Sequence, residues 1–94
     1  MSEQNQLLHR KTGAEQIKSF CAMHLFSLGI NLKFIDWSTN VLGDEDEHIL
    51  KLNIGSRDIE LKFHVNELIK YARLRDVKKT EIKIKRGLKD IVSE

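Results

Sequence analysis

Along the first third of the chain Ile17, Phe20, Cys21, Leu25 and Leu28, with His24 among them, recur three and four residues apart and so share one side of a helical spiral. Thr12 followed by Glu15 matches a capping box, in which hydroxyl and carboxylate each satisfy an orphan backbone N–H. Gly29 stands where a left-handed cap is wanted. The spacing therefore predicts a helix over 13–28. From Ile30 the period changes to two, with Ile30, Leu32 and Phe34 on one face of a strand and Lys33, Ile35 and Trp37 on the other. Leu50, Leu52 and Ile54 then alternate with Lys51 and Asn53, and Ile59, Leu61 and Phe63 with Asp58, Glu60 and Lys62. Gly55-Ser56 between them suits a two-residue type II′ turn, so 48–63 reads as a hairpin with one wet face.

Val65, Leu68, Ile69 and Ala72 restore helical spacing and predict a second helix over about 64–75. The remainder reads two ways. Ile82 and Ile84 alternate with Glu81, Lys83 and Lys85 as in a strand over 80–86 ended by Gly87, whereas Val77, Ile84, Leu88 and Ile91 also fit the lining of a helix. The strand is the preferred expectation. Residues 1–11 are polar without a sustained period, and Leu7 and Leu8 alone bury too little to offset ordering them, so they are expected to form a flexible tail.

The expectation is thus a single small α+β domain over 12–94, ordered α-β-β-β-α, with an antiparallel sheet, one layer of helices on one sheet face, and a C-terminal strand or helix. The order of the first five elements is similar to that of the double-stranded-RNA-binding domain. That family carries a Lys-rich cluster at the start of its second helix, and here His64, Val65, Asn66 and Glu67 occupy that place, so the resemblance is one of element order alone.

Composition narrows function by exclusion. The 94 residues are 40% apolar and 32% charged with no low-complexity tract, as in a folded chain. Cys21 is the single cysteine, which excludes an intrachain disulfide framework or a multi-cysteine metal site and suits a reducing compartment. The longest nearly apolar run, Phe20 to Ile30, contains His24 and Ser27 and is too short to cross a bilayer. Met1 to Gln6 is polar, unlike a secretory signal, and a cytoplasmic location is expected.

Charge is unevenly placed: residues 64–94 carry a net +4 and the rest a net −2. The basic segment suits either phosphate neutralisation by Lys78, Lys79, Lys83, Lys85 and Arg86 or solvation that protects a sheet edge from aggregation. Tyr71 is its only aromatic, which argues against stacking on single-stranded bases. Asp44, Glu45, Asp46 and Glu47 form an acidic run without EF-hand spacing, read as a solvated loop or as a contact for the basic tail of another copy.

No reactive constellation emerges. The histidines at 9, 24, 48 and 64 lack the i, i+4 spacing of a helical metal pair, and the five glycines are scattered rather than gathered into a phosphate loop, so no metal or cofactor is expected. His24 is expected as a hydrogen-bonded core histidine, and His64 as the residue that ends a strand and starts a helix. Cys21 and His24 would be neighbours on a helix, but the apolar setting keeps a thiol protonated and inert. The expected function is a small non-enzymatic module that binds a protein or another copy of itself. Ile35 and Trp37 would be anchors on an uncovered sheet face, and Lys83, Ile84 and Lys85 a pairing edge. The alternative is a nucleic-acid-binding protein acting through the basic segment.

Overall fold

The computed structural model describes residues 3–89. Its elements are α1 (Glu3–Ser27), β1 (Phe34–Trp37), β2 (Glu47–Asn53), β3 (Asp58–His64), α2 (Val65–Ala72) and α3 (Val77–Gly87). The three strands form one antiparallel sheet in the order β1-β2-β3, with Trp37 opposite Leu50 and Leu50 opposite Leu61. All helices serve one sheet face. Ile35, Trp37, His48, Leu50, Leu52, Ile59, Leu61 and Phe63 point into the core, where Ile17, Cys21, Leu25, Leu68, Ile84 and Leu88 meet them fully buried. The other face carries Phe34, Asp36, Ile49, Lys51, Glu60 and Lys62. The α+β layout is as the sequence predicts.

The hairpin forms where the alternation placed it. Gly55 takes φ 95°, its N–H donates to Asn53 Oδ1 at 2.8 Å, and Ile54 N–H donates to the Arg57 carbonyl at 3.1 Å. Helix α1 ends as expected: Gly29 at φ 76° lets its own N–H reach the Phe26 carbonyl while Ile30 N–H reaches that of Leu25. His64 closes β3 and opens α2, its Nδ1 accepting from Asn66 N–H at 3.1 Å while Glu67 accepts from His64 N–H at 2.8 Å.

Three expectations are corrected. First, α1 begins at Glu3, so Thr12 and Glu15 lie inside the helix and no cap forms there. Segment 3–11, expected as a tail, is helical, and Arg10 ties it down by donating to the Gly43 carbonyl at 2.5 Å. Second, 77–87 is helix α3 and not a strand, because Val77, Thr80, Ile84 and Leu88 bury one helical side while Ile82, which alternation paired with Ile84, stays half exposed. Ile91, the last residue of that expected stripe, lies outside the described residues. Third, Ile35 and Trp37 lie on the covered sheet face, and Phe34 on the open one. Indole N–H donation from Trp37 to the Ala14 carbonyl at 3.1 Å and an edge-on contact with Phe63 hold the ring under α1.

Candidate interaction surfaces

These corrections relocate what the chain offers its surroundings. Ile35 and Trp37 are half-buried members of the core and Ile84 is fully buried, so none of the three is an anchor on an uncovered face. Lys83, Ile84 and Lys85 do not form a pairing edge, since they are helical. Lys83 is turned inward, 2.8 Å from Glu67 and 4.7 Å above the Phe63 ring. Such a pairing covers the core rim and occupies the ammonium.

Apolar side chains face solvent instead on the C-terminal half of α1. Met23 is 72% and Phe26 83% exposed, and Leu74, in the turn between α2 and α3, is 81% exposed. Two grooves flank this row. One, of about 460 Å³, runs between α1 and the α2–α3 turn and is lined by Phe20, Met23, Tyr71, Leu74 and Val77, with Glu15 at its polar end. The other, of about 580 Å³, has Phe26 as one wall and is lined also by Ala22, Gly29, Ile30, Asn31 and Leu32. No charged residue occurs from Ser19 to Leu32 in a chain that is 32% charged. That gap is the sequence signal for this surface. It was masked because Met23 and Phe26 lie off the helical stripe that reads as core.

Leu74 bears a second cost. It adopts φ 59°, a left-handed conformation that in a non-glycine residue costs about 1 kcal/mol or more, so that Arg75 N–H can reach the Lys70 carbonyl. Glycine would meet the backbone requirement without exposing a large apolar side chain. The left-handed turn serves the close of α2, whereas the exposure of so large an apolar side chain there is not accounted for by folding.

On α3 the solvent side is cationic. Lys78, Lys79, Lys85 and Arg86 are exposed around the half-exposed Ile82, opposite buried Thr80, Ile84 and Leu88. The helix thus gathers on one face residues that a strand would have divided. Nearby acids are engaged elsewhere: Glu67 holds Lys83, Asp76 lies 3.7 Å from Lys70, and Glu81 accepts from the Tyr71 hydroxyl at 3.1 Å. Burial and Glu81 together push the Tyr71 phenol up to about 12. The first turn of α3 contains no acid, and Asp76 before it makes no side-chain cap. Lys78 and Lys79 there oppose the helix dipole at about 0.3–1 kcal/mol each.

The polar interior centres on His48, fully buried on β2, a position that its i, i+2 relation to Leu50 and Leu52 marks as core-facing. The Arg10 guanidinium can only donate, so Nε2 at 3.4 Å accepts and the proton sits on Nδ1, which faces Thr39 Oγ1 at 2.9 Å. Desolvation foremost, then the Arg10 charge, hold the imidazole below its ordinary range against the opposing pull of Glu45. His24, expected in a hydrogen-bonded core role, is instead half-buried and stacked on Phe20 at 6.1 Å.

Burial pushes the Cys21 thiol up to about 12, so at neutral pH it is no nucleophile. On β1, the Trp37 backbone N–H and then Lys18 hold Asp36 below its usual value in an exposed pairing. Asp44 to Glu47 are exposed, with the Asp46 carbonyl accepting from Val65 N–H at 2.7 Å. Among the described residues no group of three or more His, Cys, Asp or Glu side chains is placed to hold a metal ion. No described helix is long and apolar enough to cross a membrane. No protein-family model, curated protein or solved structure matches this chain.

Proposed function

We propose that this chain is a non-enzymatic binding module that pairs through the C-terminal half of α1, with a second copy of itself as the partner. The observation that carries the reading is the exposed row Met23, Phe26 and Leu74 beside two largely apolar grooves, with no charged residue on α1 from Ser19 to its end. Large apolar side chains left outside the core in a row mark interfaces, whereas scattered ones do not. A ridge lying next to a groove of the same chemistry is self-complementary: a two-fold axis beside α1 seats each copy's Phe26 in the other's groove.

Burying Met, Phe and Leu side chains contributes about 1.5–3 kcal/mol each, or roughly 9–18 kcal/mol for six across a symmetric pair. Association costs about 4–15 kcal/mol, and the midpoints of the two ranges leave about 4 kcal/mol, so self-association on the order of millimolar is expected. Light scattering after size exclusion, over micromolar to millimolar protein, measures it. The wild type is expected to shift to twice its 10.9 kDa mass, and Met23→Ser/Phe26→Ser to remain monomeric with unchanged circular dichroism. A wild type monomeric throughout removes the reading. A dimer that dissolves as salt rises assigns the contact to the acidic loop and the basic helix instead, since an apolar interface does not weaken with salt.

A further inference from the structure

We propose that the solvent face of α3 grips the phosphodiester backbone of a nucleic-acid duplex. This surface is separate from the α1 row. Lys78, Lys79, Lys85 and Arg86 share one exposed side of the helix. From Lys78 to Arg86 the row is about 12 Å long at 1.5 Å per residue, matching a major groove about 12 Å wide. Among the described residues the carboxylates nearest the helix are engaged by Lys70, Lys83 and Tyr71, and none pairs with Lys78, Lys79, Lys85 or Arg86.

Placement of the cations favours a ligand over stability. Lys85 and Arg86 complement the helix C-terminus, but Lys78 and Lys79 stand in the first turn, where the dipole and the missing cap disfavour positive charge. Protection of a sheet edge does not explain them either, because the segment is helical and the strands are β1 to β3.

Among polyanions, three features favour a duplex. A helix lying in a membrane interface must bury its apolar side in lipid, and that side of α3, with Ile84 and Leu88, is sealed in the core. A single strand needs exposed aromatic rings for stacking, and Tyr71, the aromatic of this region, is buried with its hydroxyl on Glu81. A protein interface centres on large apolar or aromatic anchors, and this face offers only Ile82 among its cations. What remains is a row of charge with the chemistry of backbone binding: strong salt dependence and no sequence preference.

Fluorescence anisotropy of the full chain tests this with a labelled random-sequence DNA duplex, the matching double-stranded RNA, a single strand of the same length, and vesicles of anionic phospholipid. About four phosphate contacts give an affinity for B-DNA that falls roughly 150-fold between about 50 and 200 mM salt. The variant Lys78→Gln/Lys79→Gln/Lys85→Gln/Arg86→Gln is expected to keep its circular dichroism and lose binding at both salts. Lys51→Gln/Lys62→Gln, on the open sheet face, is expected to bind within about twofold of wild type with a salt slope lowered by less than about one. Absence of duplex binding at 50 mM overturns the proposal, as do tighter binding to the single strand, binding to vesicles alone, or an unchanged affinity in the quadruple variant. Met23→Ser/Phe26→Ser is read in the same titration, so loss of self-association and loss of nucleic-acid binding are scored separately.

Discussion

Helices α1 and α3 each press a glycine against the rest of the core, but against different kinds of neighbour. At Gly13 the neighbour is the main chain of Leu68, so close that a Cβ would overlap its carbonyl. At Gly87 it is one methyl of Leu61, 2.6 Å from where a Cβ would sit. A backbone at the heart of a helix crossing cannot step aside, whereas a leucine can change rotamer. Attachment of α1 is therefore intolerant and that of α3 adjustable, although both appear in the sequence as isolated glycines.

Gly13→Ala separates the two most strongly. It must push α2 away from α1 and open the contact around Ile17 and Leu68, a loss expected at about 3 kcal/mol or more in urea denaturation. Gly87→Ala meets Leu61 but gains up to about 1 kcal/mol of helix propensity, so a net change within about 1 kcal/mol of zero is expected. Equal losses in the two variants would break the comparison.

The same contrast explains how far the sequence could be read. Two-residue alternation specified β2 and β3 well, because in a sheet with one wet face each polar residue locates its apolar neighbours. It failed at β1, whose apolar residues populate both faces: nothing local to Ile35, Trp37 and Phe34 says which side the helices cover. Only tertiary contact decides it, through Trp37 and Ala14. At 80–86 the alternation of Ile with Lys or Glu is compatible with both periods, and Thr80 and Leu88, which share the buried side of the helix with Ile84, each lie one turn from it. The anchors expected on β1 and on a C-terminal edge went wrong together for that reason. Of the basic set, Lys78, Lys79, Lys85 and Arg86 are exposed, because exposure of lysine depends little on the element that carries it, whereas Lys83 is taken up by Glu67 and Phe63.

Helix α1 has a further attachment that α3 lacks. Arg10 reaches over the β1–β2 connector to Gly43 and His48, and this contact requires a neutral imidazole. With the folded-state pKa of His48 depressed, its contribution is complete above the unfolded value, about 6.5, and is lost as pH falls through the folded one. Stability in urea is therefore expected to decline from pH 7 towards pH 5. His48→Gln, which cannot titrate, is expected to flatten that decline while lowering stability at pH 7. An unaltered pH slope in the variant would assign the acid sensitivity to other groups.

The two helices differ last at their free ends. The close of α1 is completed by Gly29, while α3 opens on Asp76 at φ 52°, with no side-chain cap and with Lys78 and Lys79 in its first turn. Were these lysines there for the fold, replacing them would cost stability. The dipole argues the reverse: Lys78→Glu/Lys79→Glu is expected to raise stability by about 1 kcal/mol, less at high salt, as surface charges near a helix N-terminus do. A gain in urea midpoint, with the denaturant slope unchanged, would show that this end of α3 is held below its attainable stability. A loss would mean that Lys78 and Lys79 support the fold, and would remove the strongest reason for assigning them to a ligand.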